Sequence, residues 1–175
     1  LGASSRNIEL FTVDVAGEVN QLILDTSENE AWQLTEINRF PVGLNMKSCA
    51  VNDVTDSLYI TEENIGIWRY STNPEHEIIR TLLQLPAGLE VEYVDTTAIG
   101  DVAVVSPSIN SVWLLEHSSN TLKPMPLAEG VSPKTVQLNR SAQTLIAYIY
   151  DDETEQVIEA DLGSSHTPIS KTIKS

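Results

Sequence analysis

The feature that most constrains this chain is a strand–turn–strand unit that recurs at a fixed spacing. Three copies begin near residues 58, 102 and 146, so the step is 44 residues twice. In each copy a short run rich in Val, Ile, Leu and Tyr leads through a turn into a second such run. Residues 7–24 form a fourth, looser copy that begins near residue 8. Short β-rich runs bounded by turn-forming residues are typical of β-hairpins.

The length of the repeat predicts how these hairpins are arranged. A period of about 40–50 residues matches one four-stranded blade of a β-propeller, in which sheets that cannot bury both faces alone stack around a channel. A β-sandwich also has short alternating strands, but it gives no reason for a constant step. We therefore predict an all-β fold, a partial or incomplete β-propeller of about four blades of four-stranded antiparallel sheet. The 175 residues are predicted to form one domain, 1–175.

Local patterns favour strands along the whole chain. In residues 7–14, positions 8, 10 and 12 form one face of a predicted strand and positions 9, 11 and 13 form the other. Residues 75–84 fit a helical period as well as an edge strand, and Pro74 and Pro86 bracket them. No convincing helix is predicted anywhere.

Charge and hydropathy exclude several classes of partner. The formal net charge is −15, from 25 acidic and ten basic side chains. Nucleic acid is therefore not expected as a partner, because affinity for phosphate backbones comes mainly from Lys and Arg. No apolar run approaches the roughly 20 residues that cross a bilayer, so no membrane partner is expected. Cys49 is the only cysteine, which rules out an internal disulfide and makes a buried strand thiol the simplest interpretation.

Carboxylates are the remaining candidates for chemistry, because Gly-rich phosphate loops, nucleophile elbows and His-Glu-x-x-His motifs are absent from the sequence. Glu62 and Glu63 follow a predicted strand directly, where propeller blades converge on the channel mouth. Calcium takes six to eight oxygen ligands, so such a site needs carboxylates from several repeats. A solvated acidic turn is the alternative interpretation of this pair. The acidic run at 151–155 lacks the spacing of a calcium loop and indicates an exposed hairpin turn.

Three segments around this pair resemble the β-propeller phytases. They are Cys-Ala-Val-Asn-Asp at 49–53, Leu-Tyr-Ile-Thr-Glu-Glu-Asn at 58–64 and Ile-Trp-Arg-Tyr at 67–70. The family has Cys-Val-x-Asp-Asp, Leu-Tyr-Ile-Ala-Glu-Glu-Asp and Ile-Trp-Lys-Phe. Residues 3–6 and 88–116 extend the likeness more weakly. The resemblance implies a secreted or periplasmic enzyme that removes phosphate from phytate, myo-inositol hexakisphosphate. In that family calcium ions in the channel neutralise the substrate and activate water.

The sequence departs from this family at most positions that hold calcium. Lys47 and Ser48 stand where the family has Glu-Gly, whose Glu is a ligand. Residues 85–89 keep only the Gly-Leu of the family's Asp-x-Glu-Gly-Leu, and residues 105–108 lack the Gln of its Ser-Ser-Gln-Gly. Only Glu62, with Glu63 beside it, carries over as a metal ligand. The chain thus resembles a degenerate, incomplete N-terminal propeller domain of a two-domain member.

Three functional hypotheses follow from the resemblance and its departures. The first is an accessory domain of a calcium-dependent phosphatase, with weak or no catalysis alone, that captures phytate or lower inositol phosphates or acts as a scaffold. The second is a catalytically competent fragment. The third is a non-enzymatic propeller that docks a basic partner on an acidic face. An exposed sheet edge is usually covered in folded proteins, so we expect a second catalytic domain or a partner to cover the open blade edge.

Overall fold

The computed structural model describes residues 7–25, 32–75, 77–117, 121–141, 144–162 and 171–173, so residues 3–6, which carry part of the resemblance, lie outside this range. The described residues form fifteen strands and one short 3-10 helix (Pro107–Ile109), with no α-helix among them. The strands are β1 (Asn7–Val13), β2 (Glu18–Asp25), β3 (Gln33–Pro41), β4 (Met46–Asn52), β5 (Ser57–Glu62), β6 (Gly66–Ser71), β7 (Arg80–Leu82), β8 (Tyr93–Thr96), β9 (Val102–Ser106), β10 (Ser111–Glu116), β11 (Thr121–Pro124), β12 (Pro133–Arg140), β13 (Leu145–Asp151), β14 (Gln156–Asp161) and β15 (Lys171–Ile173). The predicted all-β class is confirmed. Within these ranges, no helix has the length and apolar character needed to traverse a bilayer.

Strands that follow one another in the sequence pair antiparallel into four sheets. Sheet A contains β1–β3, sheet B contains β4–β7, sheet C contains β8–β11 and sheet D contains β12–β15. The predicted repeats begin with β1, β5, β9 and β13. The ambiguous segment at 75–84 contains the short edge strand β7, as one of its two interpretations predicted.

Among the described residues, sheet A contains no counterpart of the innermost strand that the other three sheets have. In sheets B, C and D the repeated hairpin pairs on its inner side with a preceding strand, β4, β8 or β12. These three strands lie next to one another. Strand β1 is equivalent to β5, β9 and β13, yet among the described residues it pairs only with β2. Within the described ranges sheet A therefore has three strands, whereas sheets B, C and D have the predicted four.

The four sheets stack in chain order through three apolar layers. Val19 and Phe40 of sheet A pack with Leu58, Ile60 and Tyr70 of sheet B. A second layer joins sheets B and C, and a third joins sheets C and D. Every residue of β9 is buried, which shows that sheet C is covered on both faces. In β13 buried and half-buried residues alternate, so within the described ranges one face of sheet D packs on sheet C and the other is only partly buried. The described residues include no core layer shared by sheets A and D, so closure into a ring is not observed.

The register of sheet D differs by one residue from the simple 44-residue step. Leu145, Ala147 and Ile149 face sheet C and are buried. Ile146 and Tyr148, which the step places at the start of the repeat, lie on the opposite face. A shift of one residue along a strand exchanges its two faces. The positions that face the preceding sheet therefore begin at residue 145 in this copy, although β13 itself lies where the repeat places it.

Polar side chains reach from each sheet to the backbone or side chains of the next. Such links satisfy buried backbone groups that have no strand partner. They include Gln21 Nε2 to the Thr72 carbonyl (2.8 Å), Thr61 Oγ1 to the Glu92 carbonyl (2.9 Å), the Leu138 N–H to Asp95 Oδ2 (2.6 Å), Arg140 Nε to Asp101 Oδ2 (2.7 Å) and Asn52 Nδ2 to the Thr97 carbonyl. Neighbouring sheets are thus held in register as well as packed.

The turn between β1 and β2 depends on Gly17. Its φ is +79°, and a Cβ added there would lie 2.1 Å from the Gly43 carbonyl oxygen. Gly88 has the same φ, and a Cβ on it would have no neighbour within 4 Å. We expect Gly17→Ala to lower the free energy of unfolding by about 3 kcal/mol, because the cost of a left-handed backbone at alanine adds to the cost of the clash with the Gly43 carbonyl. Gly88→Ala, the matched control, carries only the backbone cost of about 1 kcal/mol.

Urea unfolding of the two glycine variants measures this difference. Equal losses of stability in the two variants would contradict the close approach of the turn to residue 43.

Candidate functional site

Glu62 and Glu63 lie at one end of sheet B, as the sequence predicts. Glu62 is the last residue of β5, and its carbonyl accepts a hydrogen bond from the Ile65 N–H at 3.1 Å. Asn64 has a φ of +62°, which turns the chain back into β6. The Glu63 N–H donates to the Asn45 carbonyl at 3.1 Å. The tight turn therefore places both carboxylates beside the loop that joins sheets A and B.

The Glu62 carboxylate is engaged with the neighbouring strand. Its Oε2 accepts a hydrogen bond from the Trp68 indole N–H at 2.6 Å. The Arg80 guanidinium lies over the Trp68 ring, 4.4 Å from its centroid. The other oxygen of the Glu62 carboxylate, Oε1, lies near Gly43. A Cβ atom added to Gly43 would lie 3.2 Å from it. One of the two carboxylate oxygens is therefore committed to a charge-assisted bond within the sheet.

Glu63 is paired with a cation. Lys47 Nζ lies 3.3 Å from Glu63 Oε2, and both side chains are partly exposed. Lys47 is the residue that stands at a calcium-ligand position of the resembling family. Its ammonium lies beside Glu63, a carboxylate that the resemblance assigns to calcium. An exposed ion pair of this kind is weak, so a divalent cation could displace Lys47 from Glu63 at only a small cost in free energy.

Other carboxylates of sheets B, C and D lie away from Glu62. Asp53 and Asp56 are exposed in the turn between β4 and β5, at the opposite end of the sheet from Glu62. Asp95 lies on inner strand β8 and faces sheet D, and burial raises the pKa of its carboxyl above the ordinary value. The run at 151–155 forms a hairpin turn, as predicted from the sequence; residues 152–155 are exposed, but Asp151 is 2% exposed and the prediction is wrong for that residue.

Asp151 begins that turn as a buried structural acceptor. Its Oδ1 accepts the Ser132 N–H at 2.9 Å, and its Oδ2 accepts the Thr154 hydroxyl at 2.5 Å. Burial acts to raise its pKa, but these hydrogen bonds outweigh it and hold the pKa below the ordinary value. Asp151 therefore links the turn to the start of β12, the first strand of sheet D.

The side chains around Glu62 do not fit a site for several calcium ions. Within the described ranges no group of three or more His, Cys, Asp or Glu side chains is arranged to hold a metal. Calcium takes six to eight oxygens, whereas this turn offers two carboxylates, one bonded to an indole and the other to an ammonium. The two carboxylates of this turn can therefore supply weak cation binding.

Cys49 lies on inner strand β4 and is half-buried. Burial raises the pKa of its thiol, which keeps the thiol protonated and poorly nucleophilic near neutral pH. The interpretation of this residue as a strand thiol rather than a reactive one agrees with its position.

Sequence reasoning missed the buried Asp101 and its partner Arg140. Asp101 is 2% exposed, and its Oδ1 accepts the His117 N–H at 3.1 Å while its Oδ2 accepts from Thr97 Oγ1 and Arg140 Nε. The available signal was an Asp at the start of a buried strand, where an unpaired charge is costly. The Asp101–Arg140 pair joins sheets C and D. Its role is structural, because both carboxylate oxygens of Asp101 accept hydrogen bonds from other groups of the protein.

Comparison with known proteins supports the fold alone. No protein-family model matches the sequence, and no curated protein matches it. Among solved structures it is similar to hydrazine synthase of Kuenenia stuttgartiensis, with a TM-score of 0.54 and 12% identity, covering 93% of this chain and 48% of that one. An auxiliary nutrient binding protein from Bacteroides thetaiotaomicron gives a TM-score of 0.57 at 15% identity, with coverages of 91% and 40%. Virginiamycin B lyase from Staphylococcus aureus gives 0.55 at 11%, with coverages of 94% and 55%.

These solved structures include β-propeller-like proteins, and the chain spans about half of their length. The stacked antiparallel sheets are therefore of β-propeller type. Sequence identities this low carry no information on substrate or activity.

Proposed function

We propose that this chain is a phytase-like accessory domain of a secreted or periplasmic calcium-dependent phosphatase, with little or no catalysis of its own. The resemblance at 49–70 motivates the family, and the observation that carries the accessory role is the engagement of both candidate ligands. Glu62 is bonded to Trp68 and Glu63 is paired with Lys47. Catalysis on phytate then belongs to a separate domain, and this one contributes capture of phytate or lower inositol phosphates, or a scaffold.

Lys47 is the residue that most separates this chain from a calcium-binding relative. It replaces a carboxylate with an ammonium beside Glu63, which changes the local charge by two units. The strongly acidic surface, with its net charge of −15, also repels a polyphosphate unless cations bridge the two. Binding of inositol phosphates by this domain is therefore expected to depend on calcium and to be weak.

Calorimetric titration with calcium tests the proposed role of Lys47. We expect the unaltered chain to bind calcium weakly, and Lys47→Glu to bind it at least about tenfold more tightly, because a third carboxylate replaces a repelling cation. Lys134→Glu is the matched control: it makes the same charge change at Lys134, which pairs with Asp152 in another sheet. Equal gains in the two variants would mean that only net charge matters and that Glu62 and Glu63 form no site.

A phosphate-release assay with phytate, with and without calcium, tests the accessory role. We expect no calcium-dependent release above background from this chain alone. Robust calcium-dependent turnover would overturn the accessory role in favour of a competent phytase fragment.

A non-enzymatic interaction module is the second candidate function. The specific observation in its favour is the uncovered outer face of sheet D together with the acidic surface. Calorimetry separates it from the first candidate. Calcium-dependent binding of phytate supports the accessory domain, whereas absence of both calcium and phytate binding favours the interaction module.

A further inference from the structure

Sheets A and D lie at the two ends of the stack, and each exposes one face. The equivalent faces of sheets B and C are covered by the neighbouring sheets. On sheet A the exposed face (the A face) consists of Ile8, Leu10, Leu22, Leu24 and Leu34, which are cross-strand neighbours on β1, β2 and β3. The opposite face of the same sheet packs on sheet B. Ile8 is 47% exposed, Leu10 38% and Leu34 56%. Contiguous aliphatic side chains on one sheet face mark a surface that another surface covers.

The repeat shows what kind of surface covers the A face. Ile8 and Leu10 occupy the positions that bury against the preceding sheet in the later copies. Their equivalents are between 0% and 1% exposed: Leu58 and Ile60 in sheet B, and Val102 and Val104 in sheet C. The A face is therefore built to receive the outer face of a sheet of the same type.

Sheet D exposes a face of that complementary type. Ile146, Tyr148 and Tyr150 of β13 and Val157 of β14 form this D face, opposite the side that packs on sheet C. A cavity of about 430 Å³ opens on it beside Tyr148 and Tyr150 and could take a protruding aliphatic side chain. Aromatic residues of this kind are enriched in protein interfaces.

We propose that the A face of one copy of this chain packs on the D face of a second copy, so that two copies close one ring of stacked sheets. A second copy offers both faces at once, and its contacts would continue the packing already present between sheets B, C and D. This inference does not depend on the proposed phosphatase role.

The charge of the chain predicts how the pairing responds to salt. Each copy carries a net charge of −15, so the two repel each other at low ionic strength. The contact surfaces are mainly aliphatic and aromatic, and the charged cross-strand neighbours on them are acidic: Glu36 on the A face, and Glu159 and Asp161 on the D face. Added salt screens the repulsion while leaving apolar burial in place, and the dimer is expected to become tighter as salt increases. An interface held by ion pairs would show the reverse.

Sedimentation equilibrium of the chain measures the mass directly. The expected result is twice the 19.2 kDa of one chain, with dissociation on dilution. A single-chain mass at all concentrations and salt levels would overturn the proposal, and the open faces would then belong to a different domain or partner. A ladder of masses larger than the dimer would overturn closure, because a head-to-tail contact that does not close grows into filaments.

Single-face variants establish which surfaces meet. Leu10→Lys on the A face and Tyr148→Lys on the D face are each expected to give a monomer. An equimolar mixture of the two recovers association, because it retains one intact pair of faces. Ile79→Lys, at an isoleucine that is 64% exposed and on neither face, is the matched control and stays dimeric. Dimerisation of Tyr148→Lys alone would show that two A faces meet, and would overturn the pairing of A with D. Circular dichroism confirms that each variant is folded.

Discussion

Replacing Asp101 with alanine is expected to lower the free energy of unfolding by about 3–5 kcal/mol, the cost of breaking a buried ion pair from one side. The carboxylate is 2% exposed and accepts from Arg140 at 2.7 Å and from the His117 N–H at 3.1 Å. Removing it leaves the Arg140 guanidinium, the Thr97 hydroxyl and the His117 N–H without this acceptor, and it removes one of the links between sheets C and D. At this chain length the loss corresponds to a fall in Tm of roughly 10 °C.

Thermal and urea unfolding measure the effect, with Lys134→Ala as the control. Lys134 also pairs with an aspartate, Asp152 at 2.9 Å, but both side chains are more than half exposed. We expect no measurable change in the unfolding midpoint for that variant. Combining Asp101→Ala with Arg140→Ala should cost less than the two single losses added, because the two residues share one interaction. A loss for Asp101→Ala no larger than for Lys134→Ala would show that the pair does not hold the sheets together.

Ile60→Ala is expected to destabilise the chain by about 3–4 kcal/mol, because it opens a cavity between sheets A and B. Ile60 is fully buried in the layer that contains Val19, Phe40, Leu58 and Tyr70. Close packing leaves the surrounding β-branched and aromatic side chains little freedom to collapse into the space. Sheet A, which is covered on one side only, depends on this layer for its attachment.

Ile79→Ala removes the same atoms from a position that is 64% exposed. Its expected change in stability is within about 0.5 kcal/mol. Urea titration of both variants gives the comparison directly. If the two losses were equal, the layer between sheets A and B would not be close-packed.

Short-range patterns in the sequence were sufficient to predict most strands. The alternation at residues 8–13, the hairpin turns and the repeat step located β1, β5, β9 and β13, because side-chain alternation and turn chemistry act over a few residues. Neither the three-stranded form of the described part of sheet A nor the register at Leu145 was predictable in this way. Both depend on which strand lies beside which, and a change of one residue in spacing exchanges the faces.

The candidate site shows the same division. The end of β5 was predicted correctly as the place of Glu62, since it follows from a strand and its turn. Its bond to Trp68 follows from the register of the hairpin only once that register is known. The Asp101–Arg140 pair joins residues 39 apart in different sheets, and nothing in either local sequence specifies the partner.

The order of the strands also has a consequence for how the chain folds during synthesis. Every sheet is made of strands that follow one another in the sequence, so all strand pairing is completed within one repeat length. Loops that close over short distances cost little entropy, and each sheet can form soon after its last strand leaves the ribosome. Each new sheet then finds the preceding one already in place as a template. The polypeptide would thus fold from its first sheet onward, adding one layer for each repeat that emerges.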